Sequence, residues 1–299
     1  MPAWVFWTAA AVVSWGVWAV IAKMIGDRLT GGQSQALSTV GMVPVVLAFL
    51  WFKDVAPRPG RWKGVGYALT AGAVSGLGNV PYYDLFARGG TAATAVSLTA
   101  LYPIVTIALA AVFLRERVNR IQAVGLALAL AAIYLFNVSE EGGILSGWLA
   151  YAFLPLVLWG VAAFLSKLAT AHLSGGRAAL LVLIGFLVAN AGLLAVVPWP
   201  ADVPIPMWGL VAALGFFLAF GNYAVVLAYA DGKASVITPL AGLYPVVSVP
   251  VAILLLGETV GARTAAGIVC ALAAVLALSI EGPPRRSRSP EVPGLVKSS

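Results

Sequence analysis

Ten apolar stretches, each long enough to cross a bilayer, follow one another along this chain with only short links between them. They run over 3–25, 32–52, 63–87, 91–114, 119–136, 144–171, 176–197, 206–229, 233–255 and 261–280. A helix rises about 1.5 Å per residue and a bilayer core is about 30 Å thick, so about 20 apolar residues cross it. The links leave no room for a water-soluble domain. Charged residues make up 10% of the chain, against roughly 25% in a soluble domain, so there is too little polar surface to face water all round. The expected fold class is an all-α integral membrane protein with ten transmembrane helices.

The first stretch is not read as a signal peptide, because it lacks a basic leading segment, is long, and contains Lys23. The terminal segment 283–299 is rich in Pro, Ser and Arg and is expected to be disordered. A single cysteine, Cys270, falls inside the last stretch, where a thiol serves packing. The formal charge of +7 does not indicate nucleic-acid binding, because the cations sit at span ends and not along a stripe.

The distribution of cations sets an orientation. With the N-terminus inside, only Arg28, Arg88 and Arg263 of the 18 Lys and Arg fall outside, while Lys23 and Lys167 lie within spans. The rest collect on the inner side, as the positive-inside rule requires. An odd number of spans would place the basic tail outside and break the bias. Ten spans with both termini cytoplasmic is the consistent solution.

The chain also repeats itself. SWGVWAVIAKM (14–24) resembles LWGVAAFLSKL (158–168), pairing Trp15 with Trp159 and Lys23 with Lys167. GNVPYYDLFARGG (78–90) resembles GNYAVVLAYADGK (221–233), pairing Asn79 with Asn222. ALYPIVTIALAAVFLRERV (100–118) resembles GLYPVVSVPVAILLLGETV (242–260), pairing Tyr102-Pro103 with Tyr244-Pro245 and Glu116 with Glu258. The offsets are 144, 143 and 142 residues. Residues 1–139 and 140–282 are thus read as two five-helix repeats, followed by the tail. Five is odd, so the second repeat enters the membrane from the opposite side. Inverted repeats place a substrate site near the midplane and supply alternating access.

At these residues the chain resembles the EamA-type transporters of the drug/metabolite transporter superfamily. The resemblance rests on the doubled WG-x(6)-K opening and the doubled YP-x(12)-E ending, followed by Gly125 and Gly267, and covers about 3–280. It implies a ten-helix inner-membrane carrier of metabolites, often an exporter of amino acids or related compounds.

Several polar and aromatic side chains within spans are candidates for the site. Trp15 and Trp159 lie mid-span, where interfacial tryptophans do not belong; they either line a cavity and stack on a ligand or pack against a neighbouring helix. Asn79 and Asn222 either contact substrate or bond between helices. Tyr102 and Tyr244 stand beside Pro103 and Pro245, and Pro81 lies in the third span; all three prolines are expected to kink their helices. Tyr82, Tyr83 and Asp84 face Val225, Val226 and Leu227 in the other repeat, so any role for them is one-sided. Asp84 is weighed as an outer gate with Lys23, an amine ligand or a proton carrier, against a solvated helix end. Lys23 and Lys167 either snorkel to the nearest interface or mark opposite mouths of the pathway and attract carboxylates. Glu116 and Glu258 are expected to cap the helix that follows each.

The only histidine, His172, lies at a helix end, which removes zinc motifs and an intramembrane serine–histidine pair. No Walker A sequence occurs, and no carboxylates sit at matched depth for an intramembrane protease. No enzyme, cofactor or metal is expected. The leading expectation is a secondary-active or facilitative carrier, working as an exporter, for small polar metabolites such as amino acids or related organic acids. A proton-coupled multidrug exporter and a sugar facilitator are the alternatives. A non-transporting receptor lacks an extramembrane domain to bind a partner. The expected partners are a small-molecule substrate and the lipid bilayer, with a homo-oligomer possible.

Overall fold

The computed structural model describes residues 2–50, 59–88, 90–113, 119–137, 147–200 and 202–280. Among these, every regular element is an α-helix: α1 (Ala3–Ile25), α2 (Gly31–Leu37), α3 (Thr39–Leu50), α4 (Arg61–Ala87), α5 (Ala92–Thr99), α6 (Pro103–Phe113), α7 (Arg120–Asn137), α8 (Gly147–His172), α9 (Gly175–Val196), α10 (Ile205–Asp231), α11 (Ala234–Ala241), α12 (Pro245–Leu256) and α13 (Ala262–Ser279). The pairs α2/α3, α5/α6 and α11/α12 each make one broken span, which leaves ten spans among the described residues. Glu116 and the tail 283–299 lie outside the described residues.

Eight of the spans are long and apolar enough to cross a membrane. The other two are α4 and α7. The apolar stretch of α7, Arg120–Leu135, is shorter. In α4, buried Gly64, Gly72, Gly76, Gly78 and Asn79 replace bulky apolar residues. A helix so built is suited to protein neighbours and not to lipid.

The breaks correct one expectation. The spans over 91–114 and 233–255 are not continuous helices kinked at proline, and the span over 32–52 is broken as well, at Ser38. Pro103 and Pro245 instead begin α6 and α12. A proline at a helix start loses no bond, because that N–H has no partner in any helix. Tight i→i+3 turns close the gaps: Leu101 N–H donates to Leu98 O at 3.2 Å, Tyr102 N–H to Thr99 O at 3.1 Å and Leu243 N–H to Leu240 O at 3.1 Å. Pro81, by contrast, lies inside α4, which continues through it unbroken.

The two repeats interlock. α1 packs on α10 and α4 on α8, so the first helix of each repeat lies against the third helix of the other. The second spans cross over in the same way, α3 onto α10 and α9 onto α4. α7 and α13, the last span of each repeat, pack on one another. One apolar core therefore runs through both repeats. Two matched crossings bring backbones into contact. A Cβ on Gly72 would strike Val182 O and one on Gly185 would strike Leu69 O, while Gly215 and Gly41 make the same contacts with Ser38 O and Ala212 O. Only glycine allows so close an approach, the device that packs helices where lipid supplies no hydrophobic drive.

Candidate functional site

The helix starts repeat as well. Thr30 Oγ1 accepts the Gln33 N–H at 3.2 Å ahead of α2, and Ser174 Oγ accepts the Arg177 N–H at 3.4 Å ahead of α9. These caps fix where each second span begins.

A cavity of about 60 Å³ opens between the repeats. Its wall includes Trp15, Asn79, Tyr102, Trp159, Asn222 and Tyr244, six of the sequence candidates. Trp18, Ser75, Ser166 and Tyr229 complete the polar and aromatic part, and Ala71, Ala162 and Ala163 supply small apolar surface. No charged side chain lines it among the described residues. A water needs about 10–15 Å³ on this measure, so the cavity holds a few waters or part of a solute. A second cavity, about 80 Å³, lies beside Lys167 and Lys233 and contains none of the six.

The paired motifs meet across the repeats. The Trp15 indole sits over Gly221, where a Cβ would come within 2.5 Å of the ring, and Trp159 sits over Gly78, where a Cβ would come within 3.0 Å. Each glycine precedes its repeat's asparagine, so the Gly-Asn motif of one repeat seats the tryptophan of the other. Trp15 meets Tyr244 edge to face at 6.4 Å, and Trp159 meets Tyr102 likewise at 6.4 Å. The tyrosine hydroxyls tie down the broken spans. Tyr102 OH donates to Thr238 O at 3.3 Å and Tyr244 OH donates to Val96 O at 3.3 Å. Tyr244 OH also pairs with Thr99 Oγ1 at 3.0 Å, and Tyr229 OH with Thr238 Oγ1 at 2.9 Å.

Other candidates lie elsewhere. Tyr82 and Tyr83 do not reach the cavity; they stand behind Trp18. Tyr82 stacks on the Trp18 indole at 4.8 Å, and Trp18 Nε1–H donates to Tyr83 OH at 2.9 Å. Asp84 is neither a solvated end nor a cavity ligand: its Oδ1 accepts the Gly31 N–H at 2.6 Å, at the start of α2. An anion suits a helix N-terminus, and Leu227 takes the matching place in the other repeat. The lysines bond to backbone oxygens. Lys23 Nζ donates to Gly90 O at 3.3 Å, and Lys167 Nζ donates to Tyr229 O at 2.9 Å and Gly232 O at 3.0 Å. Lys167 thus meets the carbonyls where α10 ends, a favourable place for a cation, while Lys23 meets the carbonyl of Gly90 in the link between α4 and α5. Glu258 does not cap α13, the helix that follows it. Its Oε1 and Oε2 accept the Ala92 and Ala93 N–H groups at 2.7 and 3.0 Å, so it caps α5 of the other repeat.

The residues missed from sequence share one property: they are not doubled. Ala162 stands opposite Trp18, Phe86 opposite Tyr229, Leu218 opposite Ser75 and Ala22 opposite Ser166. Matching the repeats finds only what both keep. The spacing of Trp18, one helical turn beyond Trp15, was the available signal.

Comparison with known proteins fits this architecture. The EamA-like transporter family matches residues 2–138 and again residues 146–280. The chain belongs to the EamA-like transporter family. As a member it is a multi-pass membrane transporter of the drug/metabolite transporter superfamily. An uncharacterized protein of Methanocaldococcus jannaschii is 27% identical over 129 residues, which are 43% of this chain and 91% of that protein. That relative is thus about the size of one EamA repeat. A solved crystal structure of another protein has a TM-score of 0.65 at 17% identity. It covers 91% of this chain and 94% of its own, a likeness of fold.

Proposed function

We propose that this transporter carries small polar metabolites without net charge, foremost neutral amino acids as zwitterions, by alternating access through the cavity between its repeats. The observation that carries this reading is the cavity wall, where indoles, amides and hydroxyls converge and no charged side chain is present among the described residues. A lone carboxylate or ammonium would enter such a site without a counter-charge, at high desolvation cost. A zwitterion balances its own charge and can use amide and indole partners.

The wall also bears on coupling. No carboxylate or histidine lines it among the described residues, which favours facilitated movement or exchange over proton coupling. A multidrug exporter needs a carboxylate at its site, and Asp84 is held at the start of α2. A sugar facilitator is the second reading, favoured by the flat faces of Trp15, Trp18 and Trp159 on one cavity. The bias of basic residues supports an inner-membrane orientation with both termini cytoplasmic, and export is the direction this reading takes.

Proteoliposomes holding the full chain test the proposal. Labelled alanine, threonine and leucine should equilibrate faster than in empty vesicles, with glutamate and lysine slower. No flux of any neutral amino acid overturns it, and flux of hexoses alone moves the assignment to the sugar reading.

A further inference from the structure

The two repeats treat their matched asparagines differently. Asn79 uses both ends of its amide: Oδ1 accepts from Trp159 Nε1–H at 2.9 Å, and Nδ2 donates to Gln35 Oε1 at 2.9 Å. Gln35 Nε2 then donates to Asn190 Oδ1 at 2.7 Å, and Asn190 Nδ2 donates to Thr39 Oγ1 at 2.9 Å. Gln35, Asn79 and Asn190 are all buried. The relay joins α8, α4, α2, α9 and α3, and it orients the Trp159 indole.

Among the described residues, the other repeat has no such relay. The 144-residue offset that pairs Trp15 with Trp159 puts Ala179 at the place of Gln35 and Val46 at the place of Asn190. Both are buried and apolar. Asn222 Nδ2 therefore turns back to Leu218 O of its own helix at 2.9 Å. Among the described residues, no hydrogen bond reaches Asn222 Oδ1 or Trp15 Nε1. The two residues are neighbours, since Gly221 lies beneath the Trp15 ring, and both line the cavity. A polar atom left unpaired in an apolar setting costs free energy until something bonds it, and a few such groups on an apolar wall orient a ligand.

We propose that Trp15 Nε1–H and Asn222 Oδ1 are the donor and acceptor that take the substrate's polar groups, while Asn79 is a positioning residue that holds Trp159. This division of labour rests on the carrier reading above. The ligand it fits presents an acceptor to the indole and a donor to the amide. A zwitterionic amino acid offers both, as carboxylate and ammonium.

The test uses the full chain with Trp15→Phe, Asn222→Ala, Asn79→Ala and Gln35→Ala, and labelled alanine, threonine and leucine. Trp15→Phe and Asn222→Ala each remove one hydrogen bond to the substrate, so KM should rise about 5-fold with Tm close to wild type. Asn79→Ala should lower Tm by several degrees, and its loss should not add to that of Gln35→Ala, whereas Asn222→Ala and Gln35→Ala should add. A rise in KM for Asn79→Ala as large as for Asn222→Ala overturns the proposal. So do equal Tm losses at the two asparagines, or an Asn222→Ala variant that fails to fold while Asn79→Ala folds. If the wild type moves none of the three amino acids, the carrier reading for them fails separately. The Tm comparison and the additivity test need no substrate, and they still decide the relay.

Discussion

The indole of Trp15 meets the ring of Tyr244 edge to face, with centroids 6.4 Å apart and planes at 83°. Trp159 and Tyr102 reproduce the contact at 6.4 Å and 87°. Each contact joins the first helix of one repeat to the broken fourth span of the other. The doubled tryptophans and tyrosines therefore meet between repeats, whereas the doubled lysines bond within their own. Gly16 packs against Val247 and Gly160 against Val105 for the same reason. A movement that separates the repeats on one side must change one of these aromatic contacts, so the rings lie where alternating access would be felt.

Glu258 should be a stability residue. Its carboxylate accepts two N–H groups at the start of α5, and each charged hydrogen bond contributes about 1.5–3 kcal/mol. Glu258→Ala should lower Tm clearly, and Glu258→Gln should lower it less, because one acceptor oxygen remains. Thermal unfolding in detergent measures both, and an unchanged Tm for Glu258→Ala contradicts the cap.

Glycines on α4 should differ sharply. Gly72→Ala drives a methyl into the α9 backbone at Val182, a clash that should cost about 1–3 kcal/mol or prevent assembly. Gly66 has open space around its Cβ position, so Gly66→Ala should be neutral or stabilise by roughly 0.5–1 kcal/mol. The monodisperse fraction after size-exclusion chromatography separates the two. Equal behaviour would show that α4 and α9 do not approach this closely.

Asp84→Asn should keep transport near the wild-type rate. The amide oxygen still accepts the Gly31 N–H, which lies 2.6 Å from Oδ1, and only the charge is lost. Asp84→Leu, the residue of the other repeat, removes the acceptor and should lower Tm. Abolished flux in Asp84→Asn, with Tm retained, would restore a coupling or cation-binding role.

Lys23→Met and Lys167→Met should act on stability and not on selectivity. Lys167 bonds two carbonyls and Lys23 one, so the Lys167 variant should lose more. The flux ratio of glutamate to glutamine should match wild type in both. A selective loss of glutamate flux would return these lysines to a gating role.

Much of this molecule is legible in the residue order. Apolar stretches of bilayer length can satisfy their backbone only as helices, so eight of the ten spans follow from hydropathy, and the repeat and the charge bias supply α4 and α7. The doubled Trp-Gly, Gly-Asn and Tyr-Pro motifs lead to six residues that share one cavity. Asp84, Lys23 and Lys167 were harder. A charge near a span end looks the same whether it faces water, a pathway or a helix terminus, and only the place of Gly31, Gly90 and Gly232 in space tells which. Proline misled in a similar way: Tyr-Pro reads as a kink inside a helix or as a start after a break, and the tight turns at 100–102 decide for the second.

The sequence by itself determined the class, the span count and the repeat, because these rest on local hydropathy and on self-similarity. Only the tertiary structure decided that Asn79 and Asn222, identical in type and motif, stand in different surroundings. The reason is physical. An amide's role depends on which polar groups come within about 3 Å of it: Gln35 and Trp159 reach Asn79 from other helices, and Asn190 holds Gln35, while the apolar counterparts Ala179 and Val46 leave Asn222 bonded only to its own helix among the described residues.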